Sequence, residues 1–173
     1  MLSKNIEVAL NNQIRIEAES SQIYLSMACW AEVNGLEGIA QFMYAQSDEE
    51  RTHMLKLIKY VNERGGHAQI TDLKARKTTY DAFQGMFEEL YKHEIFVSNS
   101  INELVHITFA EKDYATHNFL QWYVAEQIEE EATAKSILDK INLIGDDKGG
   151  LYLFDRDIQQ AAVASAAAAA ATK

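Results

Sequence analysis

SDEERTHM at residues 47–54 and VAEQIEEE at residues 124–131 hold matching positions of one internal repeat. A shift of 77 residues lays Glu49 on Glu126, Glu50 on Gln127 and His53 on Glu130. The same shift pairs Glu17 with Glu94, Ser21 with Ser98 and Phe42 with Phe119. Two helical hairpins related by an approximate two-fold axis bring these groups to one place. So many acids inside a helical core call for metal ions.

Working outward, the apolar periodicity predicts helices over about 4–33, 37–64, 79–110 and 113–144. Their stripes step by three or four residues, as in Ile6, Leu10, Ile14, Glu17, Ser21, Tyr24 and Ala28. Asn34-Gly35, Gly65-Gly66 and Gly145 mark stops, and Asp113 is an N-cap. Segment 67–78 has no periodicity and is longer than an ordinary turn. Short turns within each pair and a long connection between pairs predict an all-α protein. It is an antiparallel four-helix bundle with one long crossover, in a single domain spanning 1–173.

A short C-terminal fifth helix is expected over 155–171, capped by Asp155 or Asp157. Its run AAVASAAAAAATK is rich in the strongest helix former. The same run also reads as a low-complexity tail with frayed order.

Composition narrows the function. The 173 residues include no proline, and 47% are apolar, which favours long unbroken helices. A net charge of −10 argues against nucleic acid or an anionic membrane as partner and favours cations. The one cysteine, Cys29, belongs to no CxxC and fits a reducing compartment. MLSKNIEVALNNQIRIE lacks the apolar core of a signal peptide, and no stretch reads as a membrane span. The expected location is cytoplasmic.

The chemistry lies in the acids. Glu17, Glu50, Glu94, Gln127 and Glu130 fall in line with the apolar positions of their helices, not opposite them. Burying an ionised carboxylate without compensation costs several kcal/mol or more, against a net stability of roughly 5–15 kcal/mol. The four glutamates carry four negative charges, which two divalent cations neutralise. Glu50 and His53 form Glu-x-x-His, a pair that can grip one ion together. The natural assignment gives one ion Glu17, Glu50 and His53 and the other Glu50, Glu94 and Glu130, with Glu50 bridging. Gln127 is placed to donate to a bound oxygen. Oxygen donors with one imidazole suit Fe(II), Mn(II) or Zn(II).

A second acidic set lies beside the first: Glu126, Glu129 and Glu130 on one helix face, with Glu49 next to Glu50. It reads either as a further cation site or as a solvated face. Tyr24, two turns beyond Glu17 on the same stripe, is either a packing or hydrogen-bonding residue or an electron donor.

At these residues the chain resembles the ferritins, specifically the haem-free bacterial type. The patterns IEAESSQIYLSM, SDEERTHM, YKHE, NFLQWYVAEQIEEE and GLYLFD carry the resemblance, which runs from Met1 to about Asp157. It implies the ferritin-like bundle and a di-iron ferroxidase centre at Glu17, Glu50, His53, Glu94 and Glu130, with Gln127 beside it. It also implies a third iron site at Glu49, Glu126, Glu129 and Glu130, and a nearby tyrosine, Tyr24. Bacterioferritins carry Glu-x-x-His twice, whereas the second copy here is Gln-x-x-Glu. Arg51 follows Glu50, where the haem-binding branch has methionine, so no haem is expected.

The resemblance further implies a homo-oligomeric cage of 24 subunits, with the fifth helices gathered near four-fold axes. Fe(II) and O2 or peroxide are the implied substrates, and Fe(III) mineral the stored product. The alanine-rich tail beyond Gln160 departs from the bacterial type. It would make a narrow apolar bundle, leaving iron to enter elsewhere, near three-fold contacts around His117 and Gln121. Two other readings compete: a di-iron oxygenase acting on an organic substrate, and a structural cage subunit without an oxidation centre.

Overall fold

The chain folds into five helices: α1 (Lys4–Val33), α2 (Glu37–Glu63), α3 (Phe83–Ala110), α4 (Tyr114–Ile144) and α5 (Lys148–Ala171). The computed structural model describes residues 1–171, with side chains through Gln160. Among the described residues there is no strand. The α1–α2 and α3–α4 hairpins pack as pairs, α1 also meets α3, and α5 lies along α2. No helix among the described residues is long and apolar enough to cross a membrane.

Local chemistry sets the helix ends. The Ser3 hydroxyl accepts the Ile6 N–H at 3.1 Å, and the Asp113 carboxylate accepts the Thr116 N–H at 3.1 Å. Such caps are each worth about 1 kcal/mol. Gly35 and Gly65 follow α1 and α2 with φ of 74° and 78°, values at which a side chain is strained.

Two helices start elsewhere than the periodicity predicts. α3 begins at Phe83, not near Thr79, because the crossover is fastened to α1 and stays extended through Ala82. Ser26 donates to the Lys77 carbonyl at 2.6 Å, Tyr80 packs edge-on to Trp30, and Arg76 pairs with Glu19. α5 begins at Lys148, earlier than 155. Asp147 is its cap, accepting the N–H groups of Gly149 at 3.3 Å and Gly150 at 2.8 Å. Neither Asp155 nor Asp157 caps it. The helical backbone continues to Ala171, whereas the apolar bundle expected beyond Gln160 concerns side chains outside the described residues.

The interior is divided along its length. One apolar cluster gathers Tyr24, Met27, Ile39, Met43, Phe87 and Leu90, with Phe154 and Ile158 of α5 joining it. The other gathers Ile6, Leu10, Ile14, Leu57, Val61, Val97, Ile101, Leu120 and Tyr123. Full burial of one such aliphatic side chain contributes about 1.5–3 kcal/mol. Between the clusters lies a belt of buried polar groups, from Gln13, Glu17 and Ser21 to Glu50, His53, Glu94, Ser98 and Gln127. The clusters on either side hold the helices in register, and so hold the belt together.

Candidate metal centre

Each long helix delivers its polar residue to the belt from within a stretch that is helical on both sides. Glu17 comes from α1, Glu50 and His53 from α2, Glu94 from α3, and Gln127 and Glu130 from α4. Glu17, Glu50 and Glu94 are each only 1% exposed. One ligand atom from each of Glu17, Glu50 and His53 lies within 4.8 Å of the others. With both carboxyls ionised, Glu17 Oε2 and both oxygens of Glu50 find no hydrogen-bond donor. His53 Nδ1 stands 3.4 Å from Glu50 Oε2 without forming an aligned hydrogen bond.

The other half of the centre is differently satisfied. The Tyr24 hydroxyl donates to Glu94 Oε1, and the Gln127 amide donates to Glu94 Oε2 at 3.2 Å. Gln46 donates to Glu130 Oε2 at 3.1 Å. Tyr123 donates to the His53 carbonyl at 2.8 Å, pinning that turn of α2. Both oxygens of Glu94 and one of Glu130 thus hold a donor, whereas Glu17 Oε2 and both Glu50 oxygens receive none from any residue other than each other.

The electrostatics agree with this geometry. Burial pushes Glu50 up to about 8, with the Glu130 and Glu49 charges adding to the effect and the contact with Glu17 opposing it. Burial, then the Glu94 and Glu49 charges, raise Glu130 to about 8. Glu94 is raised to about 7 by burial, partly offset by the Gln127 hydrogen bond. Glu17 lies well above the usual carboxylate range because of burial, with the Glu50 charge second. At neutral pH this belt holds protons that a divalent cation can replace.

A second convergence joins Glu49, His53 and Glu126 within 4.8 Å. Burial and the neighbouring Glu49 and Glu129 charges raise Glu126. Glu129 itself is exposed and contributes no atom to either group. The sequence reading grouped Glu49, Glu126, Glu129 and Glu130; in the structure His53 joins Glu49 and Glu126, and the Glu49 and Glu126 charges also act on Glu130. Lys56 lies over the Trp122 ring at 3.2 Å, and His53 meets the same ring edge-on.

Sequence reasoning missed three buried or half-buried partners: Gln13, Gln46 and Tyr123. Gln13 precedes Glu17 by one helical turn, a spacing that places the two side chains side by side. Gln46 and Tyr123 bond to residues of other helices, so only the assembled bundle reveals them.

Residues 7–144 match the family described as the ferritin-like domain. The chain belongs to the ferritin family. It is 44% identical over 163 residues to the bacterial non-heme ferritin of Campylobacter jejuni, covering 94% of this chain and 98% of that one. It is 46% identical over 158 residues to a probable bacterial non-heme ferritin-like protein of Haemophilus influenzae, with coverages of 91% and 96%. The open pore ferritin of Archaeoglobus fulgidus superimposes with a TM-score of 0.91 at 42% identity, covering 92% and 98%. As a ferritin of the non-haem type, this protein serves iron storage.

Proposed function

We propose that this ferritin oxidises Fe(II) at an intrasubunit pair of sites and stores the Fe(III) as mineral inside a cytoplasmic cage of 24 copies. The observation that carries this reading is the convergence of Glu17, Glu50 and His53 around buried oxygens without donors. Orphaned acceptors at such depth cost stability until a proton or cation arrives. Two Fe(II) substrates meet that need: they displace the carboxyl protons and balance the charge.

In this reading Glu17, Glu50 and His53 hold the first Fe(II), and Glu50, Glu94 and Glu130 the second. Each Fe(II) gives up one electron. O2 takes both, with two protons, and leaves as hydrogen peroxide; peroxide as oxidant takes two electrons and two protons to give two waters. The carboxylates hold spacing and charge while the metals change valence. Glu94 accepts from Tyr24 on one oxygen and from Gln127 on the other, so a cation taken up there lies beside a phenol and an amide donor. With only one Fe(II) bound, the phenol can supply the second electron and one of the two protons to the oxidant, leaving a tyrosyl radical that a later Fe(II), with a proton, reduces; the amide can donate to a bound oxygen. Glu49, His53 and Glu126, with Glu129 outside them, form a third position where an ion pauses on its way to the cavity.

Anaerobic Fe(II) titration followed by oxygen uptake tests the proposal. Two or three tight ions per chain and rapid oxidation are expected. A chain that oxidises Fe(II) no faster than buffer overturns it.

A further inference from the structure

We propose that Gln13 is a positioning residue for the metal centre, held in its working orientation by Ser100. The proposal rests on the metal-binding reading above. Gln13 is 1% exposed and sits one helical turn before Glu17 on α1. Its amide Nε2 donates to Glu17 Oε1 at 2.8 Å. Its amide oxygen is occupied in turn, because the half-buried Ser100 hydroxyl on α3 donates to it at 2.7 Å. The chain Ser100, Gln13, Glu17 therefore crosses from one helix to another and ends on a metal-facing carboxylate.

This arrangement splits the two oxygens of Glu17. Oε1 is committed to the amide, which leaves Oε2, buried and without a donor, as the oxygen that faces a cation. Ser100 matters because an amide has two faces. Without a hydroxyl on its oxygen, the Gln13 carbonyl is buried and unpaired. Nothing then fixes which face of the amide meets Glu17. A carbonyl turned toward the carboxylate withdraws the donor from Oε1 and frees that oxygen from its assigned place. Ser100 thus selects the donor face of the amide, and Gln13 selects the ligand oxygen of Glu17. Partners of ligands in this position typically alter metal affinity by about 10–100-fold.

The test uses Co(II) as a redox-silent probe on the assembled, iron-free protein, reading binding affinity and visible absorption. Gln13→Met keeps the shape and removes both amide functions. It is expected to weaken the tightest Co(II) site by about tenfold or more and to change its absorption. Ser100→Ala is expected to weaken the same site by a smaller factor, and Ser100→Thr, which restores a hydroxyl, to return it to the wild-type value. Circular dichroism and light scattering verify folding and assembly in each case. Gln13→Met with wild-type affinity and spectrum, even if less stable to heat, reduces Gln13 to a packing role and overturns the proposal. Equal losses in Ser100→Ala and Ser100→Thr overturn the part assigned to Ser100. A wild-type protein that takes up no Co(II) at Glu17 brings down both this proposal and the metal-centre reading.

Discussion

The Asp155 carboxylate on α5 caps the start of α2, accepting the Gly38 N–H at 3.1 Å and the Ile39 N–H at 2.9 Å. α2 has no side-chain cap of its own, since Leu36 stands at its N-cap. The approach is so close that a Cβ on Gly38 would clash with the Asp155 carbonyl oxygen. Asp155→Ala is expected to destabilise the fold by about 1 kcal/mol or more. Gly38→Ala should cost more, because backbone must move. Denaturation curves and proteolysis of the α4–α5 connection check both. A Gly38→Ala protein with wild-type stability contradicts the docking of α5 described above.

His53→Ala and Glu94→Ala each remove a proposed ligand, one from each metal in the assignment above. Each should slow Fe(II) oxidation at least about tenfold while the shell stays folded, since deleting a buried polar group need not destabilise the metal-free bundle. Stopped-flow absorbance and light scattering measure the two effects. Wild-type rates in either variant remove that residue from the centre.

The metal-free protein should lose stability as pH rises from 6.5 to 8. Glu50 and Glu130 at about 8 and Glu94 at about 7 keep protons in the folded state that the unfolded chain has released. The folded state then binds more protons, so unfolding becomes easier with rising pH through this window. Below about 6.5 the depressed His93, at about 4, acts in the opposite direction, because it resists charging while folded. The expected loss is at least about 1 kcal/mol, and Glu50→Gln should reduce the slope. Urea denaturation of iron-free protein at both ends of the window decides it; stability that rises toward pH 8 contradicts the burial argument.

Glu129 is exposed and outside both ligand groups, whereas Glu126 converges with Glu49 and His53. Glu129→Ala should therefore leave the first two-iron oxidation nearly intact and change only the iron-to-oxygen ratio or the rate of later turnovers. Successive additions of Fe(II) with an oxygen electrode separate the two phases. Collapse of the first turnover places Glu129 in the primary centre.

Truncation after Gln160 should lower the thermal stability of the shell more than it lowers the first oxidation rate. Phe154 and Ile158, which anchor α5 in the core, are retained, and every proposed ligand lies far upstream in the chain. Heating curves and initial rates measured side by side test this. A large loss of rate in a fully assembled shell would show that iron travels along the tail.

The sequence by itself determined the four long helices, the crossover between pairs and the identity of the acids in the core. Each of these follows from local rules: apolar spacing of three or four, glycines at stops, and carboxylates on an apolar stripe, as at Glu17 and Glu94. The starts of α3 and α5 were not legible. Lys77 and Tyr80 are held against α1 across the fold, and Asp155 resembles a local cap until α2 is seen to take it. The tertiary structure alone decided which oxygens of the centre are bare. Glu17 and Glu94 are equivalent under the 77-residue shift. In the bundle, however, Glu94 receives Tyr24 and Gln127, while Glu17 receives Gln13 on one oxygen only. Periodicity fixes which residues face inward; which donor reaches which oxygen depends on how neighbouring helices are rotated and offset against one another, and packing between chain-distant residues sets that.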